Sequence, residues 1–296
     1  MKRSLGEKTF TVINTFVIVL ICIISIYPYL NQLAISFNDG IDARAGGITL
    51  FPRKFTWENY NLLFKDPALA RAANVSVGRV IASTTLSLMV TYAAAYGLTR
   101  KGLPYRKALT LFLMIPGYIP VGTIPTYINM KNLGLLNNFW IYVLPGLFGF
   151  YNMVVIRSYL QDLPPEMEES AKIDGANDLI VMARIIFPMT LPVVACVALW
   201  LAVGAWNDWT TTMIYFTDKD WETLQYRMRV MIQEAANTQK NMQNAMNGGE
   251  VIQENQVTGE TVQAATLIFT TVPILMLYPF LQKYFIKGIN IGAVKG

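Results

Sequence analysis

Histidine is absent from this sequence of 296 residues, and cysteine occurs only twice. Without histidine, the chain has no catalytic triad, zinc site or general base that depends on an imidazole. Both cysteines, Cys22 and Cys196, lie inside apolar runs, where a thiol behaves as a small hydrophobic group. They imply no disulfide framework. The sequence also lacks the motif G-x-x-x-x-G-K-[ST], so it carries no P-loop site for a nucleotide.

Charged residues are also scarce. They make up 15% of the chain, whereas soluble domains carry about 25%. Apolar residues make up 53% and are gathered into long uninterrupted runs, which predicts an integral membrane protein. The net charge of +5 is not arranged as one basic stripe with interleaved aromatics, which argues against nucleic-acid binding.

Six apolar runs are each long enough to cross about 30 Å of hydrocarbon as a helix. They cover residues 12–30, 75–98, 108–130, 139–160, 189–215 and 262–285. The runs are continuously apolar and do not alternate, which favours helices over a β-barrel. The first run is too long for the apolar core of a signal peptide and lacks a cleavage site, so we expect it to be retained. The predicted fold class is an all-α polytopic membrane protein with six transmembrane helices.

Basic residues in the short loops set the predicted orientation. The connection 98–107 holds four basic residues and no acid. Together with lysines near both chain ends, it predicts that both termini face the cytoplasm. The long segments 38–73 and 217–261 then lie outside the cell membrane. Apolar residues at roughly helical spacing over 224–246 predict either a docking surface for an external protein or a solvated loop.

Residues 161–188, which connect the fourth and fifth runs on the cytoplasmic side, combine several helix signals. Two prolines suit the first turn of a helix, and three acids follow at the positive end of its dipole. Gly175 can adopt the left-handed conformation that ends a helix, and Asn177 or Asp178 can cap the next one. We therefore predict a short helix, a sharp turn and a second helix that protrude from the membrane, where a partner protein can bind.

This segment resembles the EAA loop of binding-protein-dependent ABC importer permeases, in which E-A-A-x-x-D-G precedes nine variable residues and I-x-L-P. Ser170 and Phe187 depart from that pattern. The resemblance implies that the residues at the motif positions take part in coupling to the ATPase. They are Glu169, Ser170, Ala171, Asp174, Gly175, Ala176 and Pro188. The resemblance implies the type I ABC importer permease fold, with a cytoplasmic coupling helix that contacts a separate ATPase subunit. That subunit would bind ATP and magnesium, so no cofactor, metal or catalytic residue is expected in this chain.

The resemblance covers nearly the whole chain. Stretches 55–60, 205–209 and 288–296 are similar to carbohydrate-importer permeases of the maltose-permease type. Stretches 223–226 and 278–285 are most similar to permeases of complex oligosaccharide importers, including pectin-fragment and alginate systems. This implies one permease domain over residues 1–296, which imports oligosaccharides, including acidic ones such as uronate oligomers. The implied partners are a second permease as a heterodimer, two ATPase subunits and an external solute-binding protein.

Three other functions compete with this interpretation. The first is an importer for another solute, such as a peptide or a polyamine, against which the sugar-type C-terminus argues. The second is a membrane-embedded enzyme, which would need acids or metal ligands grouped at one depth, whereas Asp208 is the one candidate acid in the predicted spans. The third is a channel, but nothing in the sequence resembles a selectivity filter.

Spans three and five hold the candidate substrate-path residues. The prolines and glycines of span three predict an interrupted helix that lines a cavity, although proline is also common in membrane helices generally. Asp208 is an ionisable residue near a span, which indicates function by default. The candidates are Tyr118, Tyr127, Trp206, Asn207, Asp208 and Trp209. Alternatively, the tryptophans lie at the outer membrane interface. Arg79 is close enough to the outer end of span two to reach the interface, and we assign it no role.

The last residues carry one more expectation. We expect span six to end near residue 285 and the tail 286–296 to project into the cytoplasm. The resemblance implies that Gly292, Lys295 and Gly296 reach the ATPase. The alternative is that Lys287 and Lys295 anchor the chain at an anionic inner leaflet.

Overall fold

A computed structural model of the chain describes residues 5–100, 102–119, 121–173, 175–247 and 257–293. Within those ranges the chain is helical without any β-strand, and one isolated antiparallel bridge joins Asn38 to Phe55. The helices are α1 (Leu5–Ser36), α2 (Gly40–Arg44), α3 (Glu58–Lys65), α4 (Pro67–Thr99), α5 (Arg106–Tyr118), α6 (Thr123–Asn132), α7 (Phe150–Gln161), α8 (Glu166–Ile173), α9 (Asp178–Ile180), α10 (Phe187–Met189), α11 (Leu191–Asn207), α12 (Thr210–Tyr215), α13 (Leu224–Asn247) and α14 (Gly259–Ala293). The predicted all-α class is confirmed for this part of the chain.

These helices belong to two compact units. Unit one comprises residues 1–70 and 227–273, and unit two comprises residues 71–226 and 274–296. The division into one permease domain stays a prediction.

Two helices are long and apolar enough to cross a membrane unaided, α1 over Gly6–Ser36 and α4. They contain the predicted spans 12–30 and 75–98. Three further helix pairs reach span length only together, because each pair bends by more than 40° at a short break. By this measure the described residues hold two to five spans, so the count of six stays a prediction. The predicted run 262–285 lies inside α14, which is 35 residues long.

Span three, for which we predicted an interruption, and spans four and five, which we predicted as single helices, are all broken in the structure. Span three divides between α5 and α6, with Pro116 inside the first helix and Gly122 at φ +87° before the second. Span four begins with 3₁₀ turns at Phe139–Tyr142 and Leu144–Gly146 before α7 starts. Span five bends by 82° at Thr190, just before α11, and is interrupted again after Asn207, where α11 ends and α12 follows. Proline and glycine explain the first two breaks, because neither favours a helix interior.

Unit one is stabilised by polar contacts around residues 36–66. The side-chain amide of Asn59 donates hydrogen bonds of 2.9 Å to the backbone carbonyls of Ser36 and Asn38. Arg227, on α13, donates to one carboxylate oxygen of Asp66 at 3.2 and 2.9 Å. Burial raises the pKa of Asp66, but the bonds from Arg227 and from the Ala68 amide outweigh burial and hold that pKa below its usual value. The pair is therefore charged at neutral pH.

Unit two has a hydrophobic core that includes the end of α4, α7, α11 and the segment after α7. The buried residues of this core are Tyr92, Ala95, Tyr96, Leu98, Met153, Ile156, Leu160, Ala171, Val181, Ile186, Val193, Val194 and Val197. Three of them, Ala171, Val181 and Ile186, come from the segment 161–188. That segment is therefore packed on the helices of unit two.

Candidate functional site

The first helix of the segment 161–188 begins directly after two prolines. In α8, the amides of Glu168 and Glu169 both donate to the carbonyl of Pro165 at 3.1 Å. Three acids occupy its first turn, where the helix dipole favours negative charge. The short helix predicted from the sequence is present.

Gly175 forms the turn that follows α8. Its φ is +82°, and the Ala176 amide donates to the Ala171 carbonyl at 3.0 Å, the six-to-one bond of a Schellman motif. No heavy atom lies within 4 Å of a Cβ built on Gly175, so the backbone conformation and not a lack of space calls for glycine here. Asp174, also a predicted coupling residue, lies outside the described residues.

The second helix starts at a side-chain cap. The Asn177 side chain accepts a hydrogen bond of 2.9 Å from the Ile180 amide, so Asn177 and not Asp178 is the N-cap. The helix then passes through a π-helical turn at Val181–Ile186, where the Phe187 amide donates to the Met182 carbonyl. Pro188 follows in the first turn of α10. Short π-helical stretches frequently mark functional sites.

The motif residues divide into one buried contact and an exposed face. Ala171 is buried in the core of unit two, whereas Glu169 and Ser170 are exposed. The Ser170 hydroxyl donates to the Glu166 carbonyl at 2.9 Å, so serine in place of the family's alanine fits without strain. Ala176 is half-buried and Pro188 is exposed.

Two large apolar side chains on this face were missed by the sequence reasoning. Ile173 is 87% exposed and Leu179 is 71% exposed, one on each side of the Gly175 turn. Exposed side chains of this size beside a rigid turn suit contact with another protein. The available signal was the presence of apolar residues in an otherwise polar segment.

A side-chain contact ties α8 to the end of α4. Arg100 forms an ion pair with Glu168, and its guanidinium lies 3.8 Å from the centroid of the Tyr96 ring. The Tyr96 hydroxyl donates to the Asp178 carbonyl at 3.3 Å. These residues border a cleft of about 850 Å³ that Arg106, Pro164 and Glu169 also line. Glu168 is therefore bound within the chain, while its neighbour Glu169 is exposed.

The two predicted path residues of span three each lie against another aromatic ring. Tyr118, at the end of α5, is 73% exposed, with its ring 6.4 Å from that of Phe150. Tyr127, on α6, is half-buried and stacks on Tyr215 with the ring centroids 5.9 Å apart.

The four candidates of span five differ in exposure. Trp206 is buried, Trp209 is half-buried and Asn207 is exposed. Asp208 accepts hydrogen bonds from the amides of Thr210 and Thr211 at 2.9 and 3.2 Å, so it caps α12. These bonds stabilise the interruption after Asn207.

Arg79 corrects a sequence-based assignment. We predicted that its side chain reaches the membrane interface, but Arg79 is 5% exposed and forms an ion pair with Asp208. It also donates to the Asp208 carbonyl at 2.8 Å. The nearest available signal was Asp208, the one acid in the predicted spans, together with Arg79, one of three basic residues there. Their separation of 129 residues hid the contact.

The C-terminal residues continue a helix. α14 continues past the predicted end of span six near residue 285 and runs to Ala293, so Gly292 lies in its last turn. Lys295 and Gly296 lie outside the described residues. Within the described ranges, no group of three or more histidine, cysteine or acidic side chains could hold a metal ion.

Comparison with known proteins gives consistent matches. Residues 83–291 match the family model described as "Binding-protein-dependent transport system inner membrane component". The chain is 33% identical to the protein LplC of Bacillus subtilis (strain 168), over 100% of this chain and 98% of LplC. It is 31% identical to the polygalacturonan/rhamnogalacturonan transport system permease protein YtcP of the same organism, over 94% of this chain and 96% of YtcP.

A solved structure matches as well. It is the crystal structure of a bacterial ABC transporter involved in the import of the acidic polysaccharide alginate, with a TM-score of 0.85. The match covers 96% of this chain and 99% of that chain, at 22% identity. At this identity the likeness shows a shared fold.

Proposed function

Because this chain belongs to the family of binding-protein-dependent transport system inner membrane components, we propose that it is the transmembrane permease subunit of an ABC importer for oligosaccharides. The subunit conducts solute and performs no chemistry of its own. ATP and magnesium are bound by a separate ATPase, since this sequence has no P-loop motif.

Acidic oligosaccharides are the favoured substrates. YtcP is named for polygalacturonan and rhamnogalacturonan, and the matched solved transporter imports alginate. These polymers share uronate sugars, whose carboxylates distinguish them from neutral dextrins. A peptide or polyamine importer stays the alternative, and it would share the same fold.

The observation that carries the proposal is the rigid exposed turn between α8 and α9. Its shape is fixed by Gly175 and Asn177, and Glu169, Ile173 and Leu179 are exposed on it. In this proposal α8 is the coupling helix, which binds the ATPase and transmits its movement to α4 through Arg100 and α11 through the core. The contact of Gly292, Lys295 and Gly296 with the ATPase belongs to the same proposal.

The assembly follows from the family. The permease pairs with a second permease subunit as a heterodimer, binds two ATPase subunits and receives solute from an external binding protein. It crosses the cytoplasmic membrane six times, with spans three, four and five bent, and both termini lie in the cytoplasm. Residues 38–73 and 217–261 are then external, where α13 provides a surface for the binding protein.

ATP hydrolysis by the reconstituted complex tests this function. The complex is assayed with candidate binding proteins and a panel of uronate oligomers, neutral dextrins, peptides and polyamines. We expect uronate oligomers, with their binding protein, to give the largest stimulation. Stimulation by peptides or polyamines alone would refute the substrate class, and failure of any ATPase to copurify with the chain would refute the permease role.

A further inference from the structure

The carboxylate of Asp208 is fully engaged inside unit two. One oxygen accepts from the Thr210 amide, the Thr210 hydroxyl and the Thr211 amide. The other accepts from the Thr211 hydroxyl and from the Arg79 guanidinium. A carboxylate offers about four lone-pair sites, so these five donors leave no acceptor for a sugar hydroxyl. Asp208 therefore does not suit direct contact with a substrate.

Arg79 is also held by several contacts, although its Nε is buried without a hydrogen-bond partner among the described residues. Its guanidinium lies 4.5 Å from the centroid of the Tyr142 ring, in a cation–π arrangement. The Tyr142 hydroxyl in turn bonds to the Thr212 hydroxyl at 2.9 Å and donates to the Trp221 carbonyl at 2.7 Å. Arg79 thus joins α4 to the 3₁₀ turn that contains Tyr142 and to the start of α12.

The network continues to a second contact with α4. Thr212 bonds to the Thr223 hydroxyl at 2.8 Å, and the Leu224 amide donates to the Ser76 hydroxyl at 2.8 Å. Ser76, Thr212 and Thr223 are all buried. Because buried polar groups are costly unless they are paired, this closed set of bonds fixes one position of the segment 208–224 relative to α4.

Asn207 lies next to this fixed point but is itself exposed. Among the described residues its side chain has no hydrogen-bond partner. An amide that faces hydrocarbon without a partner is unfavourable, so within a membrane span it faces water, a ligand or another subunit. An amide offers two donors and an acceptor, the groups that bind sugar hydroxyls.

We propose that Arg79 and Asp208 are positioning residues: their ion pair holds the break between α11 and α12 so that the Asn207 amide contacts the oligosaccharide in the transport path. The proposal rests on the proposed function for the identity of the ligand. The fixing of the break by the ion pair is independent of it.

Thermal unfolding of the purified complex tests the ion pair without any transport assay. Arg79→Met leaves the half-buried Asp208 carboxylate without its counter-ion, and we expect the midpoint of unfolding to fall by about 6 °C or more. Asp208→Asn keeps an oxygen that can cap α12 and removes the charge. The double variant Arg79→Met/Asp208→Asn should regain at least half of the loss, because no unpaired charge is left.

The exposed pair Arg71–Asp220 provides the matched control. It joins α4 to the same segment of unit two, but its side chains are 52% and 66% exposed. Arg71→Met and Asp220→Asn should each shift the midpoint by about 2 °C or less, with no recovery in the double variant. Equal effects at the two pairs, or no recovery for Arg79 and Asp208, would overturn the ion-pair part of the proposal.

Uptake kinetics with a uronate oligomer test the positioning role. We expect Asn207→Ala to raise KM about 3- to 10-fold with an unchanged unfolding midpoint, as for the loss of one hydrogen bond to the ligand. The Arg79→Met/Asp208→Asn variant should raise KM in the chain with Asn207 but not further in the Asn207→Ala chain. Arg79→Lys keeps the positive charge. Its KM should therefore lie between that of the wild type and that of Arg79→Met.

Results other than these would each contradict one part of the proposal. If Asp208→Asn raises KM to the same extent with or without Asn207, then Asp208 itself contacts the ligand and the positioning role is wrong. If the unfolding midpoints change while KM stays constant in all variants, then the network is structural only. If the wild-type complex takes up no oligosaccharide, the proposed function fails, and the unfolding data still decide whether the ion pair fixes the break.

Discussion

The segment 161–188 and the cluster around Asp208 use their charged residues in opposite ways. In the first, Glu169 is exposed, and the shape of the turn comes from Gly175 and the cap at Asn177. In the second, Arg79 is buried and Asp208 is surrounded by donors from within the chain. In the segment 161–188 the charged side chain is available to a partner protein. In the cluster around Asp208 the charged side chains bond to other residues of the same chain.

This difference separates the expected effects of substitution. Where backbone bonds and one glycine set the shape, a change of an exposed side chain should alter the contact with a partner and leave stability unchanged. Where side chains from several elements set the shape, a change should alter stability first. Variants of the segment 161–188 should therefore lose activity in a complex that still folds. Variants of the cluster around Asp208 should lose the folded complex first.

The largest effect is expected for Gly175→Val. Valine resists the left-handed conformation at φ +82°, so the turn should open and oligosaccharide uptake should fall to a few per cent or less, while the chain still inserts. Uptake by proteoliposomes with equal amounts of complex measures this. The control is Gly134→Val, at φ +69° with no heavy atom within 4 Å of a Cβ, which carries a similar strain outside the segment. Equal losses in the two variants would show that strain alone, and not this turn, is responsible.

A smaller effect is expected for Glu169→Lys. An exposed carboxylate that pairs with a basic residue of the ATPase contributes about 1.5–3 kcal/mol, so reversal of its charge should weaken copurification of the ATPase at least tenfold. Glu166→Lys reverses the charge of another exposed acid of α8 that lies outside the motif. If both variants bind the ATPase like the wild type, the proposed contact at Glu169 is wrong.

The smallest effect is expected for deletion of residues 292–296. Since α14 continues to Ala293, the deletion removes the helix end and leaves the predicted span 262–285 intact. A tail that reaches the ATPase should change stimulated ATP hydrolysis about twofold to fivefold with normal insertion, the equivalent of roughly 0.5–1 kcal/mol. A tail that only anchors the chain at the inner leaflet should leave hydrolysis unchanged.

The same contrast explains what could be predicted from the sequence. The helix, turn and cap of 161–188 depend on residues at most five positions apart, as does α13, which matches the predicted helical spacing over 224–246. The contact between Arg79 and Asp208 joins residues 129 positions apart, and no local pattern encodes it. The end of span six near residue 285 stays a prediction, because hydropathy marks where a membrane ends, whereas α14 shows only where the helix ends.

The transmembrane spans were predicted only in part, again because the sequence reports local features and not long-range contacts. Hydropathy predicted the apolar runs, and α1 and α4 contain the first two. It does not register a cap such as that of Asp208 in the middle of a run, so span five was predicted as continuous. Pro116 and Gly122 did indicate an interruption of span three, since their effect on the backbone is local.

Site-directed cross-linking in the assembled complex tests the central claim most directly. With Cys22 and Cys196 replaced, single cysteines are introduced by Glu169→Cys and Asn207→Cys and treated with a short bifunctional thiol reagent that also reacts with amines. We predict that Glu169→Cys cross-links to the ATPase subunit and that Asn207→Cys does not. Cross-linking of Asn207→Cys to the ATPase, or none from Glu169→Cys in a complex that retains its ATPase, would contradict the assignment of the segment 161–188 as the coupling site.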